Sequence, residues 1–244
     1  METKITKDQR RVEVCYSPAL FPVYYSNNDC IVVVIDVFRA TSAICTAFHH
    51  GVKKIIPVST VDEARTYKSK GMLVAAERNG EVVDGFDFGN SPFNYMNPKL
   101  KGETIVLTTT NGTKAIECAR AADSMIIGSF LNLDAVCEYL ADKEKDVILL
   151  CAGWKDRFNM EDTLFAGAVV NQLKKNPVFK GLADSSLAAD HLYELAKDDL
   201  EGFLKKTSHR NRLAKLDLEK DIAYCLQQNI SKVVPIYKGN ALTL

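Results

Sequence analysis

A succession of short, almost unbroken apolar runs, many of them β-branched, punctuates the first 151 positions and constrains the fold more than any other feature. They are RVEVCY (11–16), IVVVID (31–36), KKIIPV (53–58), MLVAA (72–76), TIVLTT (104–109), SMIIG (124–128) and DVILLC (146–151). A strand that is apolar throughout, rather than at alternate positions, must be covered on both faces. Helical segments fall between them, at about 41–50, 60–70, 112–122, 131–142 and 161–175. Strand and helix alternate, which predicts a three-layer α/β/α fold with a mixed, largely parallel sheet. From 183 the rhythm changes: SSLAADHLYELAKDDLEGFLKK and LAKLDLEKDIAYCLQQ read as two or three amphipathic helices before a last short strand, KVVPIY. The expectation is a single domain over 1–244, with 183–228 as a C-terminal helical cap or flank.

At 244 residues and 47% hydrophobic, the chain has enough apolar surface for one full core. Its 31 basic and 31 acidic residues cancel, so no global field draws it to nucleic acid or to an anionic membrane, and an anionic ligand needs local groups. The start METKITKDQRR is polar without an apolar core, and no stretch approaches the ~18–20 apolar residues of a membrane span. Cysteines 15, 30, 45, 118, 137, 151 and 225 are scattered and odd in number, several inside apolar runs. They read as reduced thiols, which places the chain in the cytoplasm. The expected partner is a small anionic substrate, with no nucleic acid and no membrane; a homodimer is the candidate assembly.

One construction occurs three times: an apolar strand, a short loop dense in Asp, Arg, Thr, Asn or Gly, then a helix. The instances are IVVVID-VFRATSAI, TIVLTT-TNGTKAI and VILLC-AGWKDRFNMED-TLFAGAVV. In parallel α/β sheets ligands bind outside the carboxyl ends of the strands, where helix N-termini offer free N–H groups. Asp36 ends the first strand and suits a metal ligand or a nucleophile; Arg39 offers a planar fork to a phosphate or sulfonate, and Thr41–Ser42 opens the helix. The structural alternative makes Thr41 or Ser42 an N-cap, with Asp36 and Arg39 in an ion pair. The second loop, TTTNGT (108–113), is either a phosphate cradle or a turn.

In the third loop Glu161 precedes Leu164 and Phe165 by three and four residues, so it projects on the same inward helix face. It either complements the helix dipole or holds a cation; Asp162 is less clearly aimed. With Glu77 at the end of MLVAA, the carboxylates suit Mg²⁺. His49, His50, His191 and His209 form no zinc spacing. Cys151 and Arg157 stand at Cys-x-x-x-x-x-Arg spacing, but Phe158 follows where a cysteine phosphatase needs Ser or Thr, so a buried strand-end thiol is the competing reading.

Taken in order, IDVFRATSAI, ERNG, GFDFGNSP, TTTNGT and CAGWKDRFNMEDTLFAGA resemble the successive motifs of the 2-phosphosulfolactate phosphatase family. SHRNRLAKL, DIAYCLQ and VVPIY resemble its C-terminal part, so the likeness runs from about residue 10 to 238. The resemblance implies Mg²⁺-dependent hydrolysis of 2-phospho-3-sulfolactate to sulfolactate and phosphate, a step towards coenzyme M where that cofactor is made. It implies site residues at Asp36, Arg39, Thr41, Glu77, Arg78, Asn90, Ser91, Asn111, Gly112, Thr113, Glu161 and Asp162. Of these, Asp36, Arg39 and Glu161 are expected to be catalytic, and Asp36, Glu77, Glu161 and Asp162 to hold the metal. Substrate binding is expected from Arg39, Thr41, Arg78, Asn90, Ser91, Asn111, Gly112 and Thr113, with Asp36 or a metal-activated water attacking phosphorus. Asp156 stands where the family commonly has glycine, and Arg210–Asn211 where Gly-Arg is frequent. A phosphatase for another small phosphorylated hydroxy-acid, and a non-catalytic anion-binding module, are the alternatives.

Overall fold

The structure, a computed structural model, describes residues 9–26 and 29–244; the polar segment 1–8 lies outside the described residues. Its strands are β1 (Arg11–Cys15), β2 (Cys30–Ile35), β3 (Lys54–Pro57), β4 (Leu73–Arg78), β5 (Glu81–Val82), β6 (Thr104–Thr108), β7 (Ser124–Gly128), β8 (Asp146–Cys151), β9 (Gly181–Leu182), β10 (Ile236–Lys238) and β11 (Ala241–Thr243). Its helices are α1 (Phe21–Tyr24), α2 (Ala40–His49), α3 (Val61–Lys68), α4 (Gly112–Cys118), α5 (Leu133–Lys143), α6 (Met160–Leu173), α7 (Asp184–Ala196), α8 (Leu200–Leu204), α9 (Ser208–Ala214) and α10 (Glu219–Cys225).

The strands form one sheet in the order β5-β4-β6-β3-β11-β10-β7-β2-β8-β1-β9. Within it β4-β6-β3 and β7-β2-β8-β1-β9 are two parallel groups. Successive residues of β2 divide between two cores. Ile31, Val33 and Ile35 pack with α5 and α6, while Val32 and Val34 pack with α2 and α4. That division is the physical content of an all-apolar strand, and the three-layer α/β/α expectation holds.

The C-terminal expectation changes in two ways. KVVPIY is strand only from Ile236, because Pro235 has no N–H to donate; its carbonyl instead accepts from the Ile127 N–H at 3.0 Å. β10 then turns through Gly239 and Asn240, both at positive φ (51° and 70°), into β11, a two-residue hairpin of the kind those residues favour. This antiparallel hairpin joins the two parallel groups through Ile236 opposite Ile126 and Leu242 opposite Ile55. The 183–228 flank comprises α7 to α10. α7 lies so close to α6 that a Cβ on Gly167 would stand 2.1 Å from the Ala189 carbonyl oxygen. α9 and α10 place Leu213, Ile222 and Cys225 in the core beside Phe38 and Phe165.

Candidate active site

Pairing registers set the positions of the loops. Ile35 lies opposite Cys151 and Gly128, and Ala76 opposite Thr108, so within each parallel group the carboxyl ends are level. One group supplies the loops after β4 and β6, the other those after β2 and β8. They enclose a cavity of ≈ 200 Å³ bordered by Asp36, Arg39, Glu77, Asn90, Asn111, Trp154, His209 and Arg212 among others.

The first loop is closed by its own helix start: the Asp36 N–H donates to Thr41 Oγ1 at 3.1 Å, and Ser42 Oγ donates to the Val37 carbonyl at 2.8 Å. Both hydroxyls are therefore structural, but neither residue is the N-cap: both lie inside the first turn of α2, Arg39 occupies the cap position, and it pairs with Asp221 rather than Asp36. The Asp36 carboxylate receives no hydrogen bond from the described residues, and it borders the cavity. Burial raises its pKa well above the usual carboxylate value, and Asp162, Glu77 and Glu161 raise it further, against the pull of Arg39. Arg39 donates to the Gly80 carbonyl at 2.7 Å and pairs with Asp221 at 3.6 Å, both side chains being buried. Asp221 also accepts from Ser91 Oγ at 3.0 Å, so Ser91 acts through Asp221 to hold Arg39.

The second loop packs against the first through Gly112. An added Cβ there would lie 2.5 Å from Ala40 Cβ and 2.8 Å from Asp36 Oδ2, so only glycine lets the two helix starts approach. Thr113 and Thr109 exchange hydrogen bonds of 3.1 Å between hydroxyl and backbone N–H, which stiffens the loop without reaching the cavity. Asn111 ties this loop to the third, its Oδ1 accepting from the Lys155 N–H at 3.0 Å. Lys155 and Asp156 are both at positive φ (50° and 62°) in a turn closed by the Trp154 and Arg157 backbones. Such a turn is where glycine is most at ease, and Asp156 occupies it despite carrying a Cβ.

The carboxylates divide by task. Glu77 accepts from the Gly80 N–H (2.6 Å), Thr110 N–H (3.0 Å) and Thr110 Oγ1 (3.0 Å), which shapes the turn after β4. Asp162 accepts from the Val37 N–H (2.8 Å), Gly153 N–H (3.0 Å) and Asn159 Nδ2 (2.9 Å), joining the first and third loops. Burial and Glu161 raise its pKa, and those three donors oppose the rise. Fully buried Glu161 binds His209 Nδ1 through Oε1, while its Oε2 has no partner among the described residues. Glu161 borders not the cavity itself but an adjoining hollow with Phe158, Phe203 and Lys206, and His209 borders both.

Among the described residues no three His, Cys, Asp or Glu side chains converge as metal ligands. A closed protein cage is therefore absent from them. The unbonded Asp36 carboxylate and the orphaned Glu161 Oε2, in an excess of buried negative charge, fit Mg²⁺, which takes one or two protein carboxylates and fills its shell with water and phosphate. Cys151 is fully buried, with burial pushing its thiol far above its usual pKa, so it is a core side chain.

The family model described as 2-phosphosulpholactate phosphatase matches residues 15–240. The chain belongs to this family. Relatives called probable 2-phosphosulfolactate phosphatase include those of Thermotoga petrophila and Thermotoga maritima, 48% and 47% identical over 203 residues, spanning 83% of this chain and 87% of theirs. That of Clostridium acetobutylicum is 39% identical over 214 residues, spanning 86% of this chain and 90% of its own.

For a member of the 2-phosphosulfolactate phosphatase family, the residues named in the sequence separate clearly in space. Asp36, Arg39, Glu77, Asn90 and Asn111 border one cavity. Thr41, Ser91, Gly112, Thr113 and Asp162 stand behind it as supports. Arg78 is elsewhere: it bonds Thr108 Oγ1 at 2.9 Å and borders a separate hollow with Ser59 and Lys114. Alternation along β4 explains this, since neighbouring strand residues face opposite ways and Glu77 already faces the cavity. Sequence reasoning missed His209, Arg212 and Asp221, which α9 and α10 bring over the strand ends, and Trp154 within the third loop. The only signal for the first two was the SHRNRLAKL likeness.

Proposed function

We propose that the chain is a cytoplasmic Mg²⁺-dependent phosphatase that hydrolyses 2-phospho-3-sulfolactate to 3-sulfolactate and phosphate, a step that serves coenzyme M synthesis where that cofactor is made. The observation that carries the reading is the meeting of four strand-end loops on an unbonded, buried Asp36 carboxylate flanked by Arg39. All seven cysteines are free thiols, and among the described residues no helix is long and apolar enough to cross a membrane.

Asp36 and Glu161 Oε2 would hold the ion. When bound, Mg²⁺ supplies positive charge to the phosphoryl oxygens and offsets the cluster's acidity. Arg39, fixed by Gly80 and Asp221, presents its guanidinium edge to an anion without losing side-chain entropy on binding. Asn90 borders the same cavity, where its Nδ2–H group can donate to the ligand. Water attacks phosphorus and gives up its proton, the ester P–O bond breaks, and the departing C2 oxygen takes a proton to become the hydroxyl of sulfolactate. His209, held at Nδ1 by Glu161, closes the roof and keeps bulk water from this exchange.

Phosphate release from 2-phospho-3-sulfolactate, 2-phospholactate and phosphoglycolate is the test, with chelated enzyme and with Mg²⁺ restored. Release from the sulfonated ester only after Mg²⁺ is restored is expected. Undiminished turnover after chelation refutes the metal, and preference for an unsulfonated ester refutes the substrate.

A further inference from the structure

Two guanidinium groups border the cavity, and they differ in how their charge is answered. Arg39 has a buried carboxylate partner in Asp221. Arg212, half-buried on α9, has no ion pair among the described residues, and its buried Nε has no hydrogen-bond partner. Its guanidinium carbon stands 4.3 Å from the Trp154 ring centroid. His209 packs on the same indole at 5.2 Å, so Trp154 is held from its other neighbours as well. Burial lowers the Arg212 pKa and the Glu161 charge opposes that, a residue of positive charge kept in a partly desolvated place. A cation with no direct ion pair among the described residues, bordering a cavity, can receive an anion there.

The wall around it selects among anions. Trp154, Leu213 and Leu216 make it largely apolar. A guanidinium is weakly hydrated and is attracted to the face of an indole while its N–H groups remain able to bind oxygen acceptors. A sulfonate spreads one charge over three oxygens and sheds water more readily than a carboxylate, so it suits this wall better. Resting on the phosphatase reading above, we infer that Arg212, seated over Trp154, is the specificity-determining residue that recognises the substrate's sulfonate. Arg39 and the strand-end loops are left for the phosphoryl group. The earlier expectation of Arg78 in the anion-holding role passes to Arg212, which borders the cavity as Arg78 does not.

Arg212→Gln and Arg212→Lys test this, with 2-phospho-3-sulfolactate compared against 2-phospholactate, which lacks only the sulfonate. One lost charge-assisted contact predicts a fall of about 10–100-fold in kcat/KM for the sulfonated ester, carried by KM, with Lys intermediate and 2-phospholactate unchanged. Equal losses on both esters overturn the inference, since Arg212 then serves the phosphoryl group or the fold. Calorimetric titration of 3-sulfolactate and of lactate is independent of turnover. Sulfolactate binding weakened by Arg212→Gln supports the inference even if no ester is hydrolysed, in which case the phosphatase reading alone fails. Unchanged sulfolactate binding overturns it. Should Arg212→Gln not fold, Arg212→Lys carries the same comparison.

Discussion

Gly112→Ala is the substitution whose outcome the structure specifies most closely. The new methyl carbon would meet Ala40 Cβ at 2.5 Å and Asp36 Oδ2 at 2.8 Å. Carbon pairs settle at ~3.5–4.0 Å, so about 1 Å must be found. Ala40 Cβ is fixed to the α2 backbone and cannot swing aside, so the starts of α2 and α4 must separate or the Asp36 carboxylate must move. Overpacking of this kind costs about 1–3 kcal/mol, offset by at most ~1 kcal/mol from the helix preference of Ala over Gly. For a chain of this size a net ~1–2 kcal/mol lowers Tm by about 2–8 °C. Displacement of a catalytic carboxylate by ~1 Å lowers kcat by about 100-fold. Adding Ala40→Gly removes the 2.5 Å contact but leaves the 2.8 Å one, so Tm should recover in part while kcat stays low. Thermal unfolding and phosphate-release kinetics on both variants decide it. A Gly112→Ala protein with unchanged Tm and kcat refutes the close approach, and recovery of kcat in the double variant refutes the role given to Asp36.

Two further substitutions probe the buried acids. Asp36→Asn should lower hydrolysis by about 10²–10⁴-fold, as for loss of a group at the reacting centre. Because the folded pKa of Asp36 is raised, its contribution to stability is present while it is protonated and is lost as pH rises from its unfolded value towards its folded one. In chelated protein, Asp36→Asn should therefore gain stability relative to the parent as pH rises through that interval, measured by urea midpoints; a constant difference would remove the case for a raised pKa. Asp162→Ala leaves the Val37 and Gly153 N–H groups and the Asn159 amide without their acceptor, and should cost about 3–5 kcal/mol in urea unfolding. A loss under about 1 kcal/mol would show that water or backbone movement satisfies these donors.

The layers were legible because most of the parallel strands are apolar almost throughout, as in β2, a pattern that two-sided cover satisfies. The strand-end loops were legible for the same reason: Asp36 and Glu77 follow immediately on such runs. What escaped was long-range. Nothing local to HRNRLAKL tells a solvated charged face from one laid over a cavity, since His209 is buried among distant residues: Glu161, 48 positions away, with Trp154 and Phe38. The hairpin at 236–243 was half hidden by Pro235, and its central place in the sheet depends on edges supplied by β3 and β7. Arg78 borders a hollow apart from Glu77, a placement that alternation along β4 already foreshadowed. Thr41 was open to a structural reading only as an N-cap, whereas it sits within the first turn of α2, and Asp162 was left without a clear aim.

The hairpin β10–β11 gives the order of synthesis a meaning for activity. Every other strand precedes it in the chain, and the cavity takes loops from both parallel groups that it joins. Until residues 236–243 pair, β3 and β7 each lack their inner neighbour, so any half-sheet formed earlier in synthesis presents an unpaired edge. A nascent chain thus carries both sets of loops well before it holds an assembled site, and its inner edges must be kept from pairing with other chains for that interval.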